Sequence, residues 1–297
     1  MESMRDIRNR IASVQKTMKI TNAMYLMASS KLKKARKALE ETQAYFDLLQ
    51  QAISEIVNHN DVSNSRYFAT DKDIPINEVR HGYIIITSDK GLAGAYNQNV
   101  CRTAEVELKK SPYDVIFCIG QSGRNYFERH PELRFRMDND YCYSAGTPSM
   151  WMARELAEHV IQLFLDDKLD MVHIVYTKMQ NALVANTEML QVLPLKGQMF
   201  PSNPLQDSTS YIETFDPSPE AVLHKVIPNY VKGLLYGTLV ESYASEQNAR
   251  MSAMDSATEN AKEIISQLSL EYNRIRQSSI TTQITEVVSG AKAQEQD

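Results

Sequence analysis

The segment Ile7–Ile56, IRNRIASVQKTMKITNAMYLMASSKLKKARKALEETQAYFDLLQQAISEI, holds a single apolar register: Ile7, Ile11, Val14, Met18, Thr21, Tyr25, Ala28, Leu32, Ala35, Leu39, Thr42, Phe46, Leu49, Ile53 and Ile56. Its steps alternate four and three without a slip. That is the 3.5-residue seam of a left-handed coiled coil, narrower than the stripe of a globular surface helix. Arg5 to Val57 predicts one helix of about 80 Å at 1.5 Å per residue. The polar cluster Asn58-His59-Asn60-Asp61 ends it.

Glycine and proline placement extends the reading outward. The chain has 297 residues with 10 of each, yet none precedes Pro75 and none falls between Gly237 and Gly290. A second arm therefore opens at Asp216-Pro217-Ser218-Pro219, with Ser218 as N-cap and Pro219 at the first helical position, and runs towards Val288. Pro228 is expected to kink its early part. Its seam reads Tyr236, Val240, Tyr243, Gln247, Arg250, Met254, Ala257, Ala261, Ile264 and Leu268, then shifts to Tyr272 and Ile275. A compact domain of this length has a diameter near ~50 Å, so arms of this length are expected to protrude. They are expected to pair with each other antiparallel, the longer second arm projecting past the first by roughly 25 Å.

Between the arms the pattern changes to strand, loop and helix. Tyr83-Ile84-Ile85-Ile86-Thr87 reads as a buried strand, followed by Ser88-Asp89-Lys90-Gly91-Leu92-Ala93-Gly94 and a helix to about Lys109. Asp114–Ile119 is a second strand, with Gly120-Gln121-Ser122-Gly123 and a helix to about His130 after it. Trp151, Leu156, Val160, Leu163 and Phe164 mark a third helix before the strand Met171–Tyr176 and an edge strand near Met189–Leu193. Repeated units of this kind imply a mostly parallel, Rossmann-like sheet. The expected fold is thus α/β, a long antiparallel coiled coil of terminal helices plus a Rossmann-like domain. The boundaries fall at 1–58 for the first helix, 59–78 for a linker, 79–215 for the α/β domain and 216–297 for the second helix.

Open α/β sheets bind ligands beyond their strand C-termini, but the loops here lack the chemistry. Gly91-Leu92-Ala93-Gly94 has no GxGxxG spacing, and no GxxxxGK[ST] occurs. Gly120-Gln121-Ser122-Gly123 misses GxSxG by one position and reads as a tight turn. Asp89 and Lys90 could be read as an acid and a base, but charge pairs are usually structural, and the two read rather as turn formers and as partners for a neighbouring subunit. His59, His81, His130, His159, His173 and His224 have no metal-binding spacing, and His173 reads as a satisfied core residue. Cys101, Cys118 and Cys142 form neither a disulfide framework nor a CxxC pair. No apolar run approaches a membrane span and none reads as a secretory h-region, so neither a membrane span nor a signal peptide is expected. Neither a cofactor nor a catalytic residue is expected.

Charge is distributed unevenly. Residues 1–37 hold Arg5, Arg8, Arg10, Lys16, Lys19, Lys31, Lys33, Lys34, Arg36 and Lys37 against Glu2 and Asp6, while the whole chain carries −5. Such a stripe is a solvated face or the footprint of an acidic partner. A scaffold that binds a polyanion through the basic helix is one alternative function. An enzyme using the crevice at the strand ends is another.

The N-terminal run Ile11-Ala12-Ser13-Val14-Gln15-Lys16-Thr17-Met18-Lys19-Ile20-Thr21-Asn22-Ala23-Met24 through Ala28-Ser29-Ser30-Lys31-Leu32 resembles the gamma subunit of F-type ATP synthases. Ser88-Asp89-Lys90-Gly91-Leu92-Ala93-Gly94-Ala95-Tyr96-Asn97 is similar to it as well. So is the stretch from Glu241-Ser242 through Ser245-Glu246-Gln247-Asn248-Ala249-Arg250-Met251 to Arg276-Gln277, Glu286 and Ser289-Gly290-Ala291. Departures are Tyr25 and Leu26 after Met24, and the linker from Asn58 to Glu78.

The resemblance implies a central-stalk rotor that couples transmembrane proton flow to ATP synthesis in a ring of alpha and beta subunits. The α/β domain would be its foot, meeting the epsilon subunit and the c-ring of Fo. It implies no active site in this chain and no nucleic-acid partner. The protein would be peripheral to the membrane through the complex, on the cytoplasmic face of a bacterial plasma membrane. Carried over by position, the contacts to the alpha/beta ring are Met24, Lys31, Lys33, Lys34 and Arg36 on the first helix. On the second they are Arg276 and Gln277, with Ile280, Ile284, Val287 and Val288 as the apolar tip.

Overall fold

A computed structural model describes residues 3–59, 65–68, 78–138, 140, 143–181, 184–197, 200 and 218–294. Most of the expected linker, Cys142 and the Asp216-Pro217 turn lie outside the described residues. Ten elements follow in order. They are α1 (Met4–His59), β1 (His81–Ile86), α2 (Tyr96–Leu108), β2 (Val115–Ile119), α3 (Gln121–Glu128), α4 (Pro131–Arg134), α5 (Met150–Leu165), β3 (Met171–Met179), β4 (Ala185–Leu193) and α6 (Pro219–Gln294). Contacts gather the chain into two units, one of Met1–Ala28 with Arg250–Asp297, the other of Ser29–Ala249.

The start of each long helix is set by a local cap. Ser3 Oγ accepts from the Asp6 amide at 3.2 Å, and the Asp6 carboxylate reaches back to the Ser3 amide and hydroxyl at 3.3 and 2.6 Å. This reciprocal box satisfies donors that a helix N-terminus leaves free, and Asp6 places a carboxylate against the positive end of the helix dipole. At α6, Ser218 Oγ accepts from the Ala221 amide at 3.2 Å and Pro219 is the first helical residue, as expected. The helix continues through Pro228. The missing N–H of that proline removes one backbone bond without ending the helix.

All fifteen seam positions of α1 are buried or half-buried, and Ile7, Thr21, Ala28, Leu32, Ala35, Ile53 and Ile56 are fully so. The seam of α6 differs from the expected one. Beyond Arg250 one row of buried and half-buried positions, Met254, Thr258, Ala261, Ile265, Leu268, Tyr272 and Ile275, is an unbroken alternation of four and three, with Met251, Ala253, Ala257 and Ser269 half-buried beside it. Ile264 is 41% exposed. The apparent shift before Tyr272 vanishes once Thr258 and Ile265 replace Ala257 and Ile264.

Within the Ser29–Ala249 unit α6 uses another stripe. Leu223, Ile227, Val231, Leu235 and Leu239, four residues apart, are almost wholly buried in one core with Ile84 and Ile86 of β1, Leu156 and Val160 of α5, and Ile53 and Ile56 of α1. Phe46 packs on Gly233, where any side chain would strike its ring. Further along α1, Ile53 and Ile56 share one core with the α6 stripe.

The sheet has the order β2-β1-β3-β4, with β1 parallel to both neighbours and β4 antiparallel on the edge. β1 alternates between two cores, Ile84 and Ile86 facing one and Tyr83 and Ile85 facing the other under α2. Burial on both faces accounts for its continuous apolar run. β4 begins at Ala185, earlier than expected, because Ala185-Asn186-Thr187-Glu188 is a polar stretch that pairs in register with Lys178 and Tyr176 of β3.

Candidate functional site

Ligands of open α/β sheets sit where the parallel strands end, so that crevice is the first place to look. β1 runs into Thr87 and β2 into Gly120. Thr87 Oγ1 donates to Ile119 O at 2.9 Å and accepts from the Gly123 amide at 2.9 Å. Gly120 has φ +91, and a Cβ there would meet the Thr87 carbonyl. Only glycine suits that close approach in that conformation. The expected tight turn is therefore present.

Helix N-termini at such turns attract anions through free amides. Here the chain supplies its own. Asp89 accepts from the amides of Gln121 at 3.2 Å, Ala145 at 3.1 Å and Gly146 at 2.9 Å, and from Ser144 Oγ at 2.5 Å. Burial raises the Asp89 pKa, but these donors outweigh it and hold the carboxyl below its ordinary value. Asp89 thus closes an internal network, in keeping with the turn-forming role expected of it. Asn97 locks the same loop, accepting from the Ser88 amide at 2.9 Å and donating to Ser88 Oγ at 2.7 Å.

α6 fills what remains of the crevice. Leu239, Tyr243 and Glu246 close against Ile86, Thr87, Tyr96 and Met152, leaving about 10 Å³. Small-molecule sites run to roughly 300–1,000 Å³, far above the space left here. No His, Cys, Asp and Glu grouping suited to a metal occurs among the described residues. His173 is buried as expected, but not satisfied. Its Nδ1 finds no partner among the described residues, and the ring stacks on Tyr83 beside His81.

The remaining candidates are surfaces. Lys31, Lys33 and Lys34 are exposed on α1. Arg36 is exposed too, but its guanidinium donates to Met179 Sδ at 3.9 Å, turning it towards β3. Met24 is half-buried and belongs to the other unit. On α6 the last covered seam positions are Ile275 and Ser279; Arg276, Gln277 and every residue from Ile280 to Ser289 are exposed. Ile280, Ile284, Val287 and Val288 fall within about 100° of helix circumference at 3.6 residues per turn, and Val287 is 72% exposed. Opposite charges or apolar walls could engage these surfaces.

Such a chain belongs to the class of proteins that join two long terminal helices to an α/β sheet domain. A family model described as ATP synthase matches residues 3–294. The ATP synthase gamma chain of Ruminiclostridium cellulolyticum is 38% identical over 300 residues, covering 99% of both chains. That of Heliobacterium modesticaldum is 39% identical over 297 residues, again covering 99% of both. The ATP synthase gamma chain of Acetobacterium woodii, described as sodium ion specific, is 37% identical, covering 98% of this chain and 99% of its own. A chain of the Euglena gracilis mitochondrial ATP synthase structure with OSCP, F1 and c-ring superposes with a TM-score of 0.65 at 17% identity, covering 98% of this chain and 94% of that one. The chain belongs to the ATP synthase gamma family.

Proposed function

We propose that this chain is the gamma subunit of an F1Fo ATP synthase, the central-stalk rotor that couples ion flow through Fo to ATP synthesis in the alpha/beta ring. The observation that carries the reading is α6 itself. One uninterrupted helix is embedded in the α/β domain from Leu223 to Leu239 and bare, with an apolar side, from Ile280 to Val288. A shaft needs both a held part and a part offered to a bearing.

The chain is non-catalytic in this reading, in keeping with the plugged crevice and the carboxylate-filled anion nest. Nucleotide chemistry belongs to the alpha and beta subunits. Met24, Lys31, Lys33, Lys34, Arg36, Arg276 and Gln277 contact the ring, and Ile280, Ile284, Val287 and Val288 turn in its bearing. The α/β domain meets epsilon and the c-ring. No helix among the described residues is long and apolar enough to cross a membrane, which supports peripheral attachment through the complex at the cytoplasmic face of a bacterial membrane. A shaft drives each beta subunit through its cycle only by contacting its states unequally, since equal affinity shifts no population. A one-sided basic stretch and a one-sided apolar end supply such inequality.

Reconstitution tests this. Added to purified alpha and beta subunits, the chain is expected to give a stable complex with stimulated ATP hydrolysis. No assembly and no stimulation would remove the rotor reading.

A further inference from the structure

A rotor has to grip its own shaft. Apolar packing of α6 in the Ser29–Ala249 unit is non-directional, its strength following buried area, whereas a hydrogen bond weakens steeply when its angle changes. Resistance to twisting at a fixed angle should therefore reside where α6 makes directional bonds to the α/β domain.

Three such ties lead to three different elements. Lys232 Nζ donates to Glu158 Oε1 of α5 at 2.7 Å. The Tyr96 hydroxyl, on the first residue of α2, lies 2.8 Å from Ser242 Oγ and donates to Ser242 O at 3.2 Å. Ser245 Oγ donates to Thr177 O of β3 at 2.9 Å. At 100° and 1.5 Å per residue, Lys232, Ser242 and Ser245 cover about 140° of circumference and about 20 Å of length. Around the last two, Glu246, Gln247 and Asn248 are also buried. That polar run is costly on a helix unless each group is used, and it lies where α6 plugs the crevice.

We propose that Tyr96, Ser242, Ser245 and Lys232 form the torsional anchor that fixes α6 in the α/β domain, positioning residues through which torque passes between the two. The proposal rests on the rotor reading. Bonds on separate azimuths oppose twisting in either sense, because turning α6 one way lengthens one tie while bending another.

The test uses the assembled alpha–beta complex with this chain, a probe tethered to the α/β domain through Glu132→Cys, and torsional stiffness read from angular fluctuations of the stalled motor. In a Tyr96→Phe, Ser245→Ala, Lys232→Met chain, stiffness is expected to fall by about half as directional bonds are lost, while unloaded ATP hydrolysis stays unchanged. Ile227→Val, which loosens the core but touches no tie, should leave stiffness unchanged, and Lys232→Arg should recover what Lys232→Met loses. Unchanged stiffness in the triple variant, or equal softening by Ile227→Val, would overturn the anchor. Should the triple variant not assemble, Tyr96→Phe alone, which keeps the ring, decides by the same criteria. Failure of the unchanged chain to assemble would instead overturn the rotor reading.

Discussion

Thr21 of α1 and Thr258 of α6 meet at 2.8 Å between their hydroxyl oxygens, both buried in the seam of the Met1–Ala28 and Arg250–Asp297 unit. Each hydroxyl also lies within bonding distance of its own helix, Thr21 of Met18 O at 3.0 Å and Thr258 of Met254 O at 2.8 Å. Two protons serve three contacts, so one threonine bonds across while the other bonds back. A polar pair among seam residues as small as Ala28 and Ala261 fixes one register, as buried polar residues do in coiled coils. Thr258→Val is expected to cost about 1 kcal/mol by removing a buried partner, while Thr21→Val with Thr258→Val should be nearly neutral, both groups being replaced by apolar ones. Thermal unfolding of the four chains of this cycle measures the coupling. Strict additivity would show that the hydroxyls do not interact.

Gly233 gives a second prediction. Glycine inside a helix costs about 1 kcal/mol relative to alanine, so propensity alone predicts that Gly233→Ala stabilises. The Phe46 ring occupies the space a Cβ would take. Overpacking of this kind costs about 1–3 kcal/mol, and Gly233→Ala should therefore destabilise by chemical denaturation. Adding Phe46→Leu should recover part of the loss. A stabilised single variant would mean that the helices separate freely at this point.

Periodicity made much of this legible, and its failures have physical causes. The α1 seam was readable to the residue because its alternation of four and three never slips. On α6 the adjacent Ile264 and Ile265 offer two registers, and a threonine stands where the seam needs Thr258, so the pattern favoured the wrong isoleucine. The Leu223–Leu239 stripe advances in fours, a period set by packing on a sheet and α5 and not on one helix, and a search for heptads passes over it. The closed crevice was beyond the sequence. Missing phosphate motifs do not reveal that Asp89 occupies the anion nest or that Glu246 arrives from 150 residues away.

His173 predicts an acid sensitivity of the α/β domain. Burial, then the neighbouring charges of His81 and Lys196, push its pKa down from 6.5 to about 4, against a smaller opposing effect of Glu107. The unfolded chain therefore binds a proton between these values that the folded chain refuses. Its effect on stability is absent above pH 6.5 and grows as pH falls towards 4, reaching about 3 kcal/mol by linkage. His173→Phe, which preserves a ring against Tyr83, should flatten the stability profile in that window and change little at pH 8. Parallel profiles for the two chains, from denaturant titrations at each pH, would assign the acid loss to other groups.

The basic stretch yields a prediction that separates attraction from mechanics. Lys31, Lys33 and Lys34 are exposed, and attraction between exposed charges is screened beyond about 8 Å at physiological salt. If the lysines draw the shaft towards acidic surfaces of the ring while packed contacts transmit force, neutralising them should alter salt dependence and leave coupling intact. Lys31→Gln, Lys33→Gln and Lys34→Gln together are expected to flatten the dependence of assembly rate on ionic strength, since steering weakens with salt. ATP-driven ion pumping per ATP hydrolysed should stay at the level of the unchanged chain. Ion leakage through the assembled triple variant would show that these side chains carry force, and the division between charge and contact would fail.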